Sequence, residues 1–80
     1  MVLFELMEQY SDKVVYKYGY DEENLDGVIE FSLASPRDFK IIQSNPKDEE
    51  IASMWLMKGV VKVITFLESG KIEQSICRCV

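Results

Sequence analysis

The sequence predicts an α+β domain: a short N-terminal helix, a three-stranded antiparallel meander, a long helix packed on one sheet face and a short C-terminal helix. Three observations predict it. Apolar residues at both ends of the chain recur at helical spacing. The segment "KVVYKYGYDEENLDGVIEFSL", residues 13–33, holds two β-rich runs around an acidic turn. The segment "IASMWLMKGVVKVITFLES", residues 51–69, keeps a helical period throughout. With 80 residues, 48% of them hydrophobic and 29% charged, the chain reads as one domain, 1–80, small enough to need good tertiary packing or self-association for its stability.

Val2, Leu3, Leu6, Met7 and Tyr10 recur every three or four residues with Glu5, Glu8 and Gln9 between them, which reads as the first amphipathic helix. In the first β-rich run Val14, Tyr16, Tyr18 and Tyr20 share a face, because strand side chains alternate. In the second run Ile29, Phe31 and Leu33 share one face, and Val28, Glu30 and Ser32 the other. Asp26–Gly27 is assigned the left-handed geometry of a hairpin reversal. "ASPRD" turns again, and "FKIIQS" is a third strand with Phe39 and Ile41 on one side. "SNPKDEE" carries the marks of a helix start: Asn45 caps, Pro46 takes the first helical position, and Asp48 answers the cap. Asp48, Glu49 and Glu50 also suit the positive end of the helix dipole. Gly70 is a left-handed stop. Beyond it, Ile72, Ser75, Ile76, Cys79 and Val80 fall at helical spacing, while the same segment alternates poorly as a strand.

Around the long helix, Ala52, Leu56, Gly59, Val60, Val63 and Leu67 form a stripe for the sheet, with Trp55 and Phe66 at its flanks and Gly59 permitting close approach. A second apolar line runs through Met54, Met57, Val61 and Ile64. Either the N-terminal helix packs beside it through Leu3 and Met7, or it is a self-association or partner seam. The two readings are compatible.

Charge and composition narrow the function. The net charge is −5, 14 acidic against 9 basic residues, and Lys58, Lys62, Lys71 and Arg78 are too scattered for a phosphate-binding face, so no nucleic-acid partner is expected. No apolar run reaches the length of a membrane span, and "MVLFELMEQY" lacks the basic start of a signal peptide. The expectation is a cytoplasmic protein without a membrane partner.

No metal, cofactor or catalytic residue is assigned. Without histidine there is no Ser–His or Cys–His arrangement and no ordinary neutral-pH base, and no Gly-rich phosphate loop is present, so the chain reads as a non-enzyme. Cys77–Arg78–Cys79 offers two thiols where a structural zinc site needs four ligands. "EENLDGVIEFSL" matches several calcium-loop positions but has Leu33 where a bidentate glutamate belongs, between strands rather than helices. Tyr16, Tyr18 and Tyr20 read as sheet packing rather than a base-stacking platform.

The order helix, three strands, helix resembles the double-stranded-RNA-binding domain, although "PKDEEIA" stands where that family's phosphate-binding lysines belong, so the likeness implies topology alone. The stretch from "YKYGYDEENLDGVIEFSL" to "DEEIASMW" resembles the N-terminal hairpin-plus-helix region of HicB-type antitoxins, over about half the chain. It lacks that family's Pro-Gly-Cys-like segment and DNA-binding tail. The "YD-NLDG-IE" hairpin is also similar to small uncharacterised bacterial proteins, which imply no activity.

The sequence thus favours a small bacterial domain acting by protein–protein contact, as a homodimer or with another protein, through Met54, Met57, Val61 and Ile64. The alternative is an acidic antitoxin or immunity protein covering a basic toxin or nuclease. Its contact surface would be Asp21, Glu22, Glu23 and Asp26 with Asp48, Glu49 and Glu50. A third reading is a ligand pocket between sheet and long helix near Trp55.

Overall fold

A computed structural model describes residues 1–49 and 53–78. The described residues build five strands: β1 (Val2–Gln9), β2 (Lys13–Gly19), β3 (Gly27–Ser32), β4 (Lys40–Gln43) and β5 (Ser75–Arg78). They form one antiparallel sheet in the order β4-β3-β2-β1-β5. A 3₁₀ turn (Pro46–Glu49) and the helix α1 (Ser53–Glu68) carry the chain from β4, at one edge, over the sheet to β5 at the other. The result is a two-layer α+β domain with one sheet face covered by α1.

This corrects the predicted fold class at both ends. The N-terminal segment is not a helix but a central strand, hydrogen-bonded to β2 and β5. Val2, Phe4 and Leu6 alternate onto the helix-facing side, the first two fully buried. A bulge between Leu6 and Glu8 adds one residue, Met7, and shifts the alternation beyond it. Leu3 on the opposite face and the residues beyond the bulge, Met7 and Tyr10, are apolar as well, so the set can be read at helix-like intervals. The C-terminal segment is a strand rather than a short helix, for a reason outside its own pattern. Without β5, β1 would be a sheet edge, and Ile76 of β5 packs into the core beside Phe4. The expected three-stranded meander is therefore the β2-β3-β4 part of five strands.

The middle of the chain follows its alternation. Val14, Tyr16 and Tyr18 of β2 and Ile29 and Phe31 of β3 are buried beneath α1, and Tyr20 and Leu33 pack at the margin. Phe4, Tyr16 and Phe31 meet edge to face, at 6.5 Å between Phe4 and Tyr16 and 6.1 Å between Tyr16 and Phe31. From above, Leu56, Val60, Val63 and Leu67 of α1 complete the core. Gly59 lies directly on β1, where even a methyl group would meet Val2 and Phe4.

Two glycines act differently from each other. Gly70 has φ +78° and closes α1 in a Schellman motif, with Lys71 N–H donating to Phe66 O (2.9 Å) and Gly70 N–H to Leu67 O (3.0 Å). Gly27, predicted to be left-handed, is an ordinary β3 residue. It is small because the Tyr18 ring of the paired strand lies over it.

Candidate protein-contact surface

The side chains of α1 divide by angle, about 100° per residue. Leu56, Val60, Val63 and Leu67 point down, while Met54, Met57 and Val61 point out and are 61%, 42% and 56% exposed. Ile64 belongs to the core instead, at 7% exposure. The predicted line is therefore split: three members form an outer apolar stripe on two turns, and the fourth helps bury the helix. The N-terminal segment does not lie beside the stripe as a helix, because it is β1.

The orientation of the stripe follows from two polar contacts. Lys62 Nζ donates to Cys77 O on β5 (2.6 Å), so its flank of α1 faces that edge. Glu68, on the opposite flank, pairs with Arg37 in the β3–β4 connection (3.2 Å). Met57 precedes Glu68 by three turns and shares its flank, so the stripe slopes toward β4. There Ile41 and Ile42 are 43% and 58% exposed. Sequence reasoning placed Ile41 on a strand face but had no means of seeing that α1 leaves that strand uncovered.

The predicted acidic surface is divided as well. Asp48 turns inward, where its carboxylate accepts hydrogen bonds from the Tyr18 hydroxyl (2.7 Å), the Tyr20 hydroxyl and Asn45 N–H (3.0 Å). Burial first, then the bond to Asp48, pushes both phenols upward from their ordinary pKa. Asn45, itself buried, accepts from Lys47 N–H (2.9 Å), and with Asp48 on Asn45 N–H this makes the reciprocal cap expected from the sequence, although it opens the 3₁₀ turn (Pro46–Glu49) and not α1, which begins at Ser53. Its amide also donates to Tyr18 O (3.2 Å) and Asn24 O (3.3 Å), tying the turn to two further segments. Asp21 accepts from Lys47 Nζ (3.1 Å) and from Asn24 (2.8 Å), and these bonds hold its carboxyl below the usual range. Glu22, Glu23 and Asp26 remain exposed in the β2–β3 loop. The Glu49 side chain and Glu50 lie outside the described residues, as do Ala52 of the helix stripe, Cys79 and Val80.

Tyr16, Tyr18 and Tyr20 lie toward the helix, not outward as a platform, and Tyr16 donates to Glu73 O (2.7 Å) to fix the approach to β5. Among the described residues no group of three or more metal-binding side chains forms. No described helix is long and apolar enough to cross a membrane. No protein-family model, curated protein or solved structure matches the chain.

Proposed function

We propose that this is a non-enzymatic binding domain working by protein–protein contact, and that it pairs with a second copy of itself across the outer face of α1. The observation that carries the reading is the exposed run of Met54, Met57 and Val61 on consecutive turns of one helix. Antiparallel pairing about a two-fold axis near residues 57–58 lays Met54 of one copy on Val61 of the other, a self-complementary arrangement. Methionine side chains accommodate such a seam without demanding one fixed fit. Three side chains a copy, with Ile41 and Ile42 alongside, make a contact at the low end of interface size, so the dimer is of the weak, concentration-dependent class. The setting we propose is the bacterial cytoplasm, on the likeness of the hairpin to HicB-type antitoxins.

Sedimentation equilibrium from about ten micromolar to about one millimolar tests this. The expected result is a mass rising toward that of two chains, and a Met57→Glu/Val61→Glu variant that keeps its melting temperature but stays monomeric. A wild-type chain monomeric throughout sinks the proposal. The acidic alternative draws on the exposed Glu22, Glu23 and Asp26. Its mark is binding to a basic protein that weakens steeply with salt, whereas an apolar seam is nearly indifferent to salt.

A further inference from the structure

We propose that a cavity on the sheet face away from α1 binds a primary alkylammonium group, an amine carried on a short aliphatic chain. The cavity holds about 400 Å³, and its lining includes Leu3 and Glu5 of β1, Ser75 and Cys77 of β5, and Glu22 and Leu25 of the β2–β3 loop. This is a volume at which proteins take small molecules.

The wall is built rather than incidental. Gly19 lies opposite Leu3 in the β1–β2 ladder, and the loop folds down onto it. A side chain at Gly19 would collide with the Asn24 carbonyl and come within 2.9 Å of Leu25 Cα. The loop is held from behind by the Asp21–Lys47 pair and by the Asn45 amide on Asn24 O. Glu22 and Leu25 are thereby set beside β1 without any rearrangement on binding.

The lining selects the ligand. Leu3 and Leu25 offer apolar surface to an aliphatic stem, and Glu5 and Glu22 offer two carboxylates to its head. Neither carboxylate forms an ion pair among the described residues. Lys17 stands opposite Glu5 in the β1–β2 ladder but does not line the cavity, whereas Ser75, opposite Glu5 on its other side, does. An anion would meet two like charges, and a neutral apolar ligand would strip water from both carboxylates without replacing it. A cation on a short stem satisfies both halves, and the net charge of −5 favours its approach.

Titration of the ¹⁵N-labelled chain with hexylammonium, and with hexanoate as the matched anion, tests the site. The expected result is saturable shifts at the amides of Leu3, Glu5, Leu25 and Cys77 with hexylammonium and none with hexanoate. Glu5→Gln and Glu22→Gln are isosteric changes at exposed positions, and each should weaken binding at least fivefold with an unchanged melting temperature. Nα-acetyl-lysine amide binding more tightly than hexylammonium assigns the cation to a partner's lysine, and weaker binding assigns it to a free amine. Equal binding of hexanoate, shifts spread over the whole chain, or affinity indifferent to both substitutions overturns the proposal.

Discussion

Replacing Gly59 by alanine sets two known effects against each other at one atom. Glycine inside a helix ordinarily costs about 1 kcal/mol relative to alanine, so the substitution at an exposed site would stabilise α1. Here the new methyl would collide with Val2 Cγ1 and stand 2.7 Å and 3.1 Å from two ring carbons of Phe4. Neither neighbour is the free end of a surface side chain. Val2 is fully buried, and Phe4 is wedged between Tyr16 and Tyr18 at ring-centroid distances of 6.5 Å and 6.1 Å. Overpacking of this kind costs about 1–3 kcal/mol, and a clash with two immobile partners belongs in the upper half of that range. Subtracting the helix gain leaves a net loss of about 1–2 kcal/mol. For a domain of this size that lowers the melting temperature by roughly 5–15 °C. Thermal and urea unfolding followed by circular dichroism measure it. A double-mutant cycle with Val2→Ala sharpens the test, since the space that change opens should accept the methyl and give a favourable coupling near 1 kcal/mol. A Gly59→Ala protein that melts higher than the wild type refutes the close approach of α1 to β1.

Gly70→Ala should lose about 1 kcal/mol for the opposite reason: no atom lies within 4 Å, but its φ of +78° strains any side chain, so unfolding should show a loss that no second-site truncation relieves. Asp48→Ala strips two phenols and the Asn45 amide of their acceptor and should cost about 2–4 kcal/mol in urea unfolding. Asp21→Ala, at a solvent-exposed pair, should leave the urea unfolding midpoint nearly unchanged. In alkali, Tyr16, Tyr18 and Tyr20, all with raised folded pKa, keep their protons longer in the folded chain than in the unfolded one. Their stabilising contribution is therefore complete below pH 10 and is lost above it, by as much as about 1.4 kcal/mol per pH unit for each phenol. Tyrosinate absorbance should accordingly lag in the native chain behind the urea-unfolded chain and appear together with unfolding.

What the sequence disclosed was local. The alternation of residues 14–18 and 28–32, the reciprocal Asn45–Asp48 cap and the Gly70 stop depend on neighbours in the chain, and each is present. What it concealed was decided at long range. β1 takes strand form because it gains ladders on both sides, one of them from residues 75–78 at the other end of the chain. Apolar Leu3 on the outer face and the bulge at Met7 then disguise its alternation. Gly27 misled for the same reason, being small to admit the Tyr18 ring from the adjacent strand rather than to turn the chain. Of the contact surface, Met54, Met57 and Val61 were legible from helical angle, but Ile64 was not, since it lies at the margin between the outer stripe and the core face of α1, and only the packing decides to which it belongs. The cavity was invisible because its wall and floor come from three separate segments.

The exposed stripe and the exposed edge strand have one geometric cause. Five strands about 4.8 Å apart span roughly 20 Å, while a helix with its side chains is about 10 Å across. One helix covers about half of that width, and α1 sits toward β1 and β5, as Gly59 on β1 and Lys62 on Cys77 O show. The shortfall falls on β4, where Ile41 points to the helix side and still meets solvent. A segment packed beside α1 would cover both surfaces, and the N-terminal segment, which has the composition for it, is committed to the sheet as β1. A second α1 laid antiparallel on the first would put apolar side chains on Met54, Met57 and Val61 and bring them over the β4 margin. The five-stranded width of the sheet is thus the physical reason to look for a second copy, and widening the apolar stripe by Thr65→Leu should strengthen association while leaving the monomer's core untouched.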